Sequence, residues 1–202
     1  MPSEYDPVPP RPPLSTDPND LERVQALFSS AARSYFRSPW SWWAWSLILP
    51  AAALMTRWVQ PTAGPRATLF LWSVFILIGG VIEGALIVRG SAVTERTPLA
   101  GWVLRTQGNL SLVAVALSVL LLVLGHAEFL PALWLLLIGH SFYAVGKLSF
   151  QPLRTAGGLL QAGGIVALVP PVDGLIAFAA CTFVACLWVG LGVRRDLRSE
   201  AA

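Results

Sequence analysis

The sequence predicts an all-α membrane protein, a bundle of six transmembrane helices preceded by an amphipathic helix. Three observations predict this fold. The 202 residues are 55% hydrophobic and only 12% charged, which lies outside the usual range of soluble globular domains. The apolar residues fall into runs close to the length, about 20 residues, that a helix needs to cross a bilayer. The basic residues stand at the ends of these runs.

The residues before the first apolar run divide into two parts. Residues 1–16 hold six prolines and few large apolar groups, so we expect a disordered, proline-rich tail. Residues 17–38 begin with Asp17 and Pro18, which is typical of an N-cap followed by proline in the first helical turn. Apolar residues then recur at steps of three and four from Leu21 to Tyr35. This pattern predicts an amphipathic helix that lies in the headgroup plane or docks on a cytoplasmic partner.

The membrane domain is predicted to cover residues 39–193. Span one runs from residue 40 to about residue 55 and begins with four tryptophans, which prefer the membrane interface because the ring is buried while the N–H stays hydrated. We expect Pro50 to kink this span. Residues 56–66 contain two prolines and one glycine and are predicted to form a loop.

Five further spans follow the first. They are predicted at residues 67–88, within 98–125, at 129–148, at the short glycine-rich run 155–169, and at 174–193. The sequence Pro-Pro-Val-Asp-Gly at 170–174 predicts the last turn. Residues 194–202 are predicted to form a basic cytoplasmic tail.

The positions of the basic residues predict the orientation. With an even number of spans and the N-terminus inside, all but two of the 14 Lys and Arg residues lie in cytoplasmic segments, and only Arg57 and Arg66 lie outside. Cytoplasmic loops of membrane proteins carry this excess of positive charge. We therefore expect a multi-pass protein of a bacterial-type inner (plasma) membrane, with both termini in the cytoplasm.

Span two carries a carboxylate, Glu83, close behind the pair Gly79–Gly80. An ionisable group inside a membrane needs compensation from the protein. We expect Arg105, His140 or Lys147 to compensate it, within a polar layer in the cytoplasmic half of the bundle. The candidate site residues are Glu83, Arg105, Gln107, Asn109, His140, Tyr143, Lys147 and Gln161. In span five, Arg154, Gly157, Gln161 and Gly164 form a stripe that we expect to face protein.

Two interpretations of this layer stay open, a proton- or solute-binding site and a structural layer that fixes helix registry. The motif Gly80-x-x-x-Gly84 predicts close approach of another helix. No cofactor or metal is expected, because the sequence has no metal-ligand spacing, and Cys181 and Cys186 point to different sides of one helix. No catalytic motif is present either, so an enzyme is the least favoured class.

Two functions are therefore expected. The first is a non-enzymatic membrane subunit or partner protein, and the alternative is a small-solute or proton-coupled transporter built around Glu83. The expected partners are the lipid bilayer and either another membrane protein or further copies of this chain. Nucleic acid is not expected, because no basic domain-sized face is left to contact phosphates.

Overall fold

The computed structural model of the protein describes residues 38–90 and 98–200. The predicted tail 1–16 and nearly all of the predicted amphipathic helix 17–38 lie outside the described residues. The described part is all-helical and contains no strand. Its helices are α1 (Pro39–Gly90), α2 (Pro98–Val123), α3 (Leu130–Ser149), α4 (Gln151–Val166) and α5 (Gly174–Glu200), with a 3₁₀ turn at Ala127–Phe129.

A single glycine divides α1 into two arms. Gly64 has φ 77° and ψ −174°, a conformation that residues with a side chain rarely adopt. The N-terminal arm, 39–63, and the C-terminal arm, 65–90, are helical on both sides of it. The prediction of a loop over 56–66 is therefore wrong, since one residue makes the break. Pro65 begins the second arm at a position where its missing N–H has no helical partner to lose.

The two arms of α1 lie side by side. A Cβ added at Gly79 would overlap the ring of Trp45, so the tryptophan occupies the space that the glycine leaves. At Gly80 and Gly84, whose spacing allows close backbone approach, an added Cβ meets nothing within 4 Å in the described residues. The C-terminal arm also contacts α5, where the rings of Trp72 and Phe178 meet edge to face at 5.8 Å.

The buried core lies between the N-terminal arm of α1 and helices α3, α4 and α5. Helix α4 contributes a face of buried residues, which recur because apolar and small side chains follow the helical period. They are Leu153, Ala156, Gly157, Leu160, Gly163 and Gly164. On the side of the N-terminal arm, Trp42 meets Phe142 of α3 edge to face at 5.5 Å.

Helices α3 and α4 form a tight hairpin with only Phe150 between them. A Cβ added at Gly139 or Gly146 would overlap the backbone of α4, and one added at Gly157 would overlap the backbone of α3. Glycines allow backbones to approach this closely because they place no side chain between the helices. The glycine-rich run that the sequence analysis assigned to a short span thus builds the closest helix–helix contact described.

Four described helical stretches are long and apolar enough to cross a membrane, which is consistent with a membrane protein. They are Pro39–Leu86, Arg105–Val123, Ala127–Lys147 and Gly174–Ser199. The first contains both arms of α1, and α4 is shorter than these four with 16 residues. Residues 194–200, predicted as part of the tail, continue α5 as helix.

Candidate functional site

Glu83 is held by the neighbouring arm of its own helix. The indole Nε1 of Trp45 donates a hydrogen bond of 3.2 Å to its Oε2, and both side chains are partly buried. The two residues are 38 positions apart and stand at equal distance from Gly64 along the chain. Gly79 lies one turn before Glu83 and leaves the space in which the indole ring sits. The partner of the carboxylate is therefore a neutral donor.

The structure differs here from the expected charge compensation. Among the described residues, no ion pair joins Glu83 to Arg105, His140 or Lys147, and all three of these side chains are exposed. They lie on α2 and α3, whereas α1 makes its main contacts with α5. Helical periodicity places a residue at a depth and on a face, but it does not tell which helices are neighbours. That is why the sequence analysis named the wrong partner.

A second polar contact joins α2 to α3. The hydroxyl of Ser141 donates a hydrogen bond of 2.5 Å to Oε1 of Gln107. Farther along the same contact, Nε1 of Trp134 donates to Oγ of Ser118 at 3.1 Å. Between them lies a groove of about 90 Å³ that Ser111 also lines. These two hydrogen bonds join α2 to α3 on either side of the groove.

A third polar contact lies at the closed end of the α3–α4 hairpin. Nη2 of Arg154 donates to the hydroxyl of Tyr143 at 3.4 Å, and the guanidinium carbon stands 5.3 Å from the centre of that ring. Lys147 follows Tyr143 by one helical turn on α3. Gln161 contacts Gly139. The stripe of α4 that carries Arg154 and Gln161 therefore faces α3.

The eight candidate residues thus divide among separate contacts. Glu83 pairs within α1, Gln107 pairs with α3, and Tyr143 pairs with α4, while Asn109 on α2 is exposed. Sequence reasoning missed Trp45 and Ser141. In a hairpin that turns at Gly64, residues at equal distances from the turn lie opposite each other, and this symmetry would have indicated Trp45 as the neighbour of Glu83. The sequence holds no signal for Ser141.

An ion pair lies at the opposite end of the molecule. Nε of Arg57 is 3.0 Å from Oδ2 of Asp173. The other carboxylate oxygen, Oδ1, accepts the backbone N–H groups of Leu175 and Ile176 at 3.0 and 3.2 Å, so Asp173 is the N-cap of α5. One side chain therefore both caps α5 and joins it to the N-terminal arm of α1.

The other end of the same helix pair has a cation–π contact. The guanidinium of Arg194 stands 5.8 Å from the ring centre of Trp43, and Gly190 leaves space for that ring. The N-terminal arm and α5 are therefore antiparallel, with one basic residue joined to the partner helix at each end.

The chemistry available to these contacts is hydrogen bonding and ion pairing. Within residues 38–90 and 98–200, no group of three or more His, Cys, Asp or Glu side chains is placed to hold a metal ion. Cys181 and Cys186 are both free thiols. No family model, no curated protein and no solved structure matches the chain.

Proposed function

We propose that the chain crosses a bacterial-type inner membrane six times, with both termini in the cytoplasm, and acts as a non-enzymatic membrane subunit or partner protein. The two arms of α1 supply two crossings, and α2, α3, α4 and α5 supply the other four. The distribution of basic residues supports the orientation, because only Arg57 and Arg66 fall on the outer side. The ion pair at Asp173 and the cation–π contact at Trp43 lie at opposite ends of the N-terminal arm and α5, which supports antiparallel crossings for these two helices.

The observation that carries the functional proposal is the hydrogen bond from Trp45 to Glu83. A carboxylate that serves transport is expected to face a water-filled path or a bound solute. This one instead accepts a hydrogen bond from the adjacent arm, in a contact that also seats an indole ring on a glycine. The arrangement supports a structural role, in which Glu83 fixes the register of the hairpin.

The exposed apolar surface supports the same proposal. The C-terminal arm of α1 and most of α2 present large apolar side chains outward, and only 6% of the most apolar window of each is buried. Phe70, Leu77 and Leu112 are more than half exposed. This surface provides the lipid contact of a membrane protein and an area against which a second membrane subunit or another copy would fit.

One observation favours the alternative, a small-solute or proton-coupled transporter. The groove between α2 and α3 carries the polar side chains of Gln107, Ser111 and Ser141 among apolar neighbours. Its volume of about 90 Å³ has room for a few water molecules. Glu83 is not among its lining residues, so a carrier would use this groove and not the carboxylate alone.

A double-mutant cycle on Trp45 and Glu83 tests the proposal. Trp45→Phe and Glu83→Leu each remove one partner, and we expect the pair to show a coupling free energy of about 0.6–1.7 kcal/mol, as for other hydrogen bonds within membranes. The measurement is unfolding of the purified protein by SDS in mixed micelles. Glu83→Gln is the matched control, because its amide oxygen still accepts the indole N–H and should keep most of the stability.

Proton uptake into proteoliposomes separates the two functions. The proposed subunit should leave a pH-sensitive dye inside the vesicles unchanged when an ion gradient is imposed. A flux that the wild type catalyses alone would overturn the proposal, whether or not Glu83→Gln abolishes it. The transporter would then be the correct alternative.

A further inference from the structure

The closed end of the α3–α4 hairpin concentrates positive charge that the neighbouring sequence does not neutralise. Lys147 and Arg154 lie on either side of the turn, and no Asp or Glu occurs between Glu128 and Asp173. Within the part of the chain that the structure describes, neither cation is joined to a carboxylate. Two cations with no carboxylate partner among the described residues, at the end of two apolar helices, are suited to binding an anionic ligand.

The fold holds these two cations together. Gly146 contacts the backbone of Arg154, so Lys147, the next residue on α3, lies beside the first turn of α4. The Arg154 guanidinium lies over Tyr143, where it makes the hydrogen bond and the ring contact. This arrangement reduces the number of rotamers that Arg154 would lose on binding a ligand.

The donors also fit the oxygens of a phosphate group. Arg154 uses one terminal nitrogen on Tyr143 and keeps its other N–H groups for an acceptor. The Tyr143 hydroxyl accepts that bond and still has its own proton to donate. Lys147 is exposed and adds a mobile positive charge one turn away. Together they offer a planar cation, an ammonium group and a hydroxyl.

We propose that Tyr143, Lys147 and Arg154 bind the phosphate of an anionic phospholipid in the leaflet at this end of the hairpin. On the six-crossing topology this is the cytoplasmic leaflet, where basic sites between helices recognise anionic headgroups. The occupant is a lipid and not a soluble phosphate, because Lys147 ends the stretch Ala127–Lys147, which is apolar and long enough to cross a membrane, so the donors lie at the depth of the headgroups. This site is independent of whether the protein is a subunit or a transporter.

Lipid titration measured by native mass spectrometry tests the site. The full chain in a neutral detergent is titrated with phosphatidylglycerol and, separately, with phosphatidylcholine. For the Lys147→Gln and Arg154→Gln double variant we expect phosphatidylglycerol to bind about thirtyfold more weakly, since each basic residue near a headgroup contributes about a fivefold effect. Phosphatidylcholine binding should not change.

The matched control carries the same loss of charge elsewhere at the same end. Arg195→Gln and Arg198→Gln remove two exposed basic residues from α5, and we expect the affinity to stay within about threefold of the wild type. An equal loss in both double variants would overturn the site, because it would show general attraction of lipid to basic residues. Displacement of the lipid by equimolar glycerol phosphate would overturn the choice of a lipid. If the double variant does not fold, the exposed Lys147→Gln change alone should weaken binding about fivefold, and an unchanged affinity would overturn the proposal.

Discussion

Two adjacent glycines of α4 test the tight α3–α4 hairpin. A Cβ at Gly157 would overlap the backbone nitrogen of Tyr143 and the carbonyl oxygen of Gly139, whereas a Cβ at Gly158 would meet nothing within 4 Å among the described residues. Gly157→Ala should therefore force the two helices apart, and Gly158→Ala should not.

The size of the effect follows from the difference between the two variants. Both gain the same preference of alanine over glycine inside a helix, about 0.5–1 kcal/mol. Only Gly157→Ala has an overlap to relieve, and overpacking of this kind costs about 1–3 kcal/mol. The added Cβ meets backbone atoms of α3, which cannot rotate away as a side chain would, so α4 itself must shift. We expect the free energies of unfolding to differ by about 1–3 kcal/mol, with Gly157→Ala the less stable.

The assay is unfolding by SDS in mixed micelles, followed by circular dichroism, with the wild type and both variants in the same detergent. Gly158→Ala is the control, since it changes the same residue type one position away. Equal midpoints for the two variants would refute the close backbone contact between α3 and α4.

Two further predictions concern the contacts of α1. Gly79→Ala should displace the Trp45 ring and lower the free energy of unfolding by about 1–3 kcal/mol. Gly80→Ala is the control and should leave the free energy of unfolding unchanged or slightly raised. Equal effects of the two variants in the same SDS titration would contradict the packing of the two arms. Asp173→Asn should keep the cap of α5 and lose only the ion pair to Arg57, which lowers the free energy of unfolding by about 0.2–1 kcal/mol. Asp173→Ala should also lose the cap and lower it by about a further 0.5–2 kcal/mol. Thermal unfolding in detergent measures both changes. Identical melting temperatures for these two variants would show that Asp173 does not act as a cap.

The helices themselves could be predicted from the sequence because their cause is local. Runs of apolar residues predicted α2 and α3 to within two residues at each described end, and the sequence before Gly174 predicted the turn into α5. The sequence predicts the break in α1 in the correct region, but the predicted loop, residues 56–66, is longer than the break at Gly64 alone. Prolines in the last turn of one helix and the first turn of the next do not require a loop between them.

The contacts between helices could not be predicted because their cause is not local. The polar stripe of each helix indicates which face meets protein, but not which helix it meets. For Glu83 this left several cations as equal candidates, and the partner in the structure is Trp45, a residue that the sequence analysis had assigned to the membrane interface. An indole anchors equally well to headgroups or to a carboxylate, so composition alone does not separate the two roles.

The shortness of α4 has a consequence for the surrounding lipid. Its 16 residues extend about 24 Å along the axis, against a hydrocarbon thickness of about 30 Å. One face of α4 is covered by α3 and α5, but Ile165 and Val166 are exposed near its end. On the six-crossing topology this mismatch is relieved by local thinning of the bilayer, by flanking residues that reach the interface or by oligomerisation, at a fraction of a kcal/mol for each ångström. On that topology, a thin membrane suits the exposed face of α4 better than a thick one.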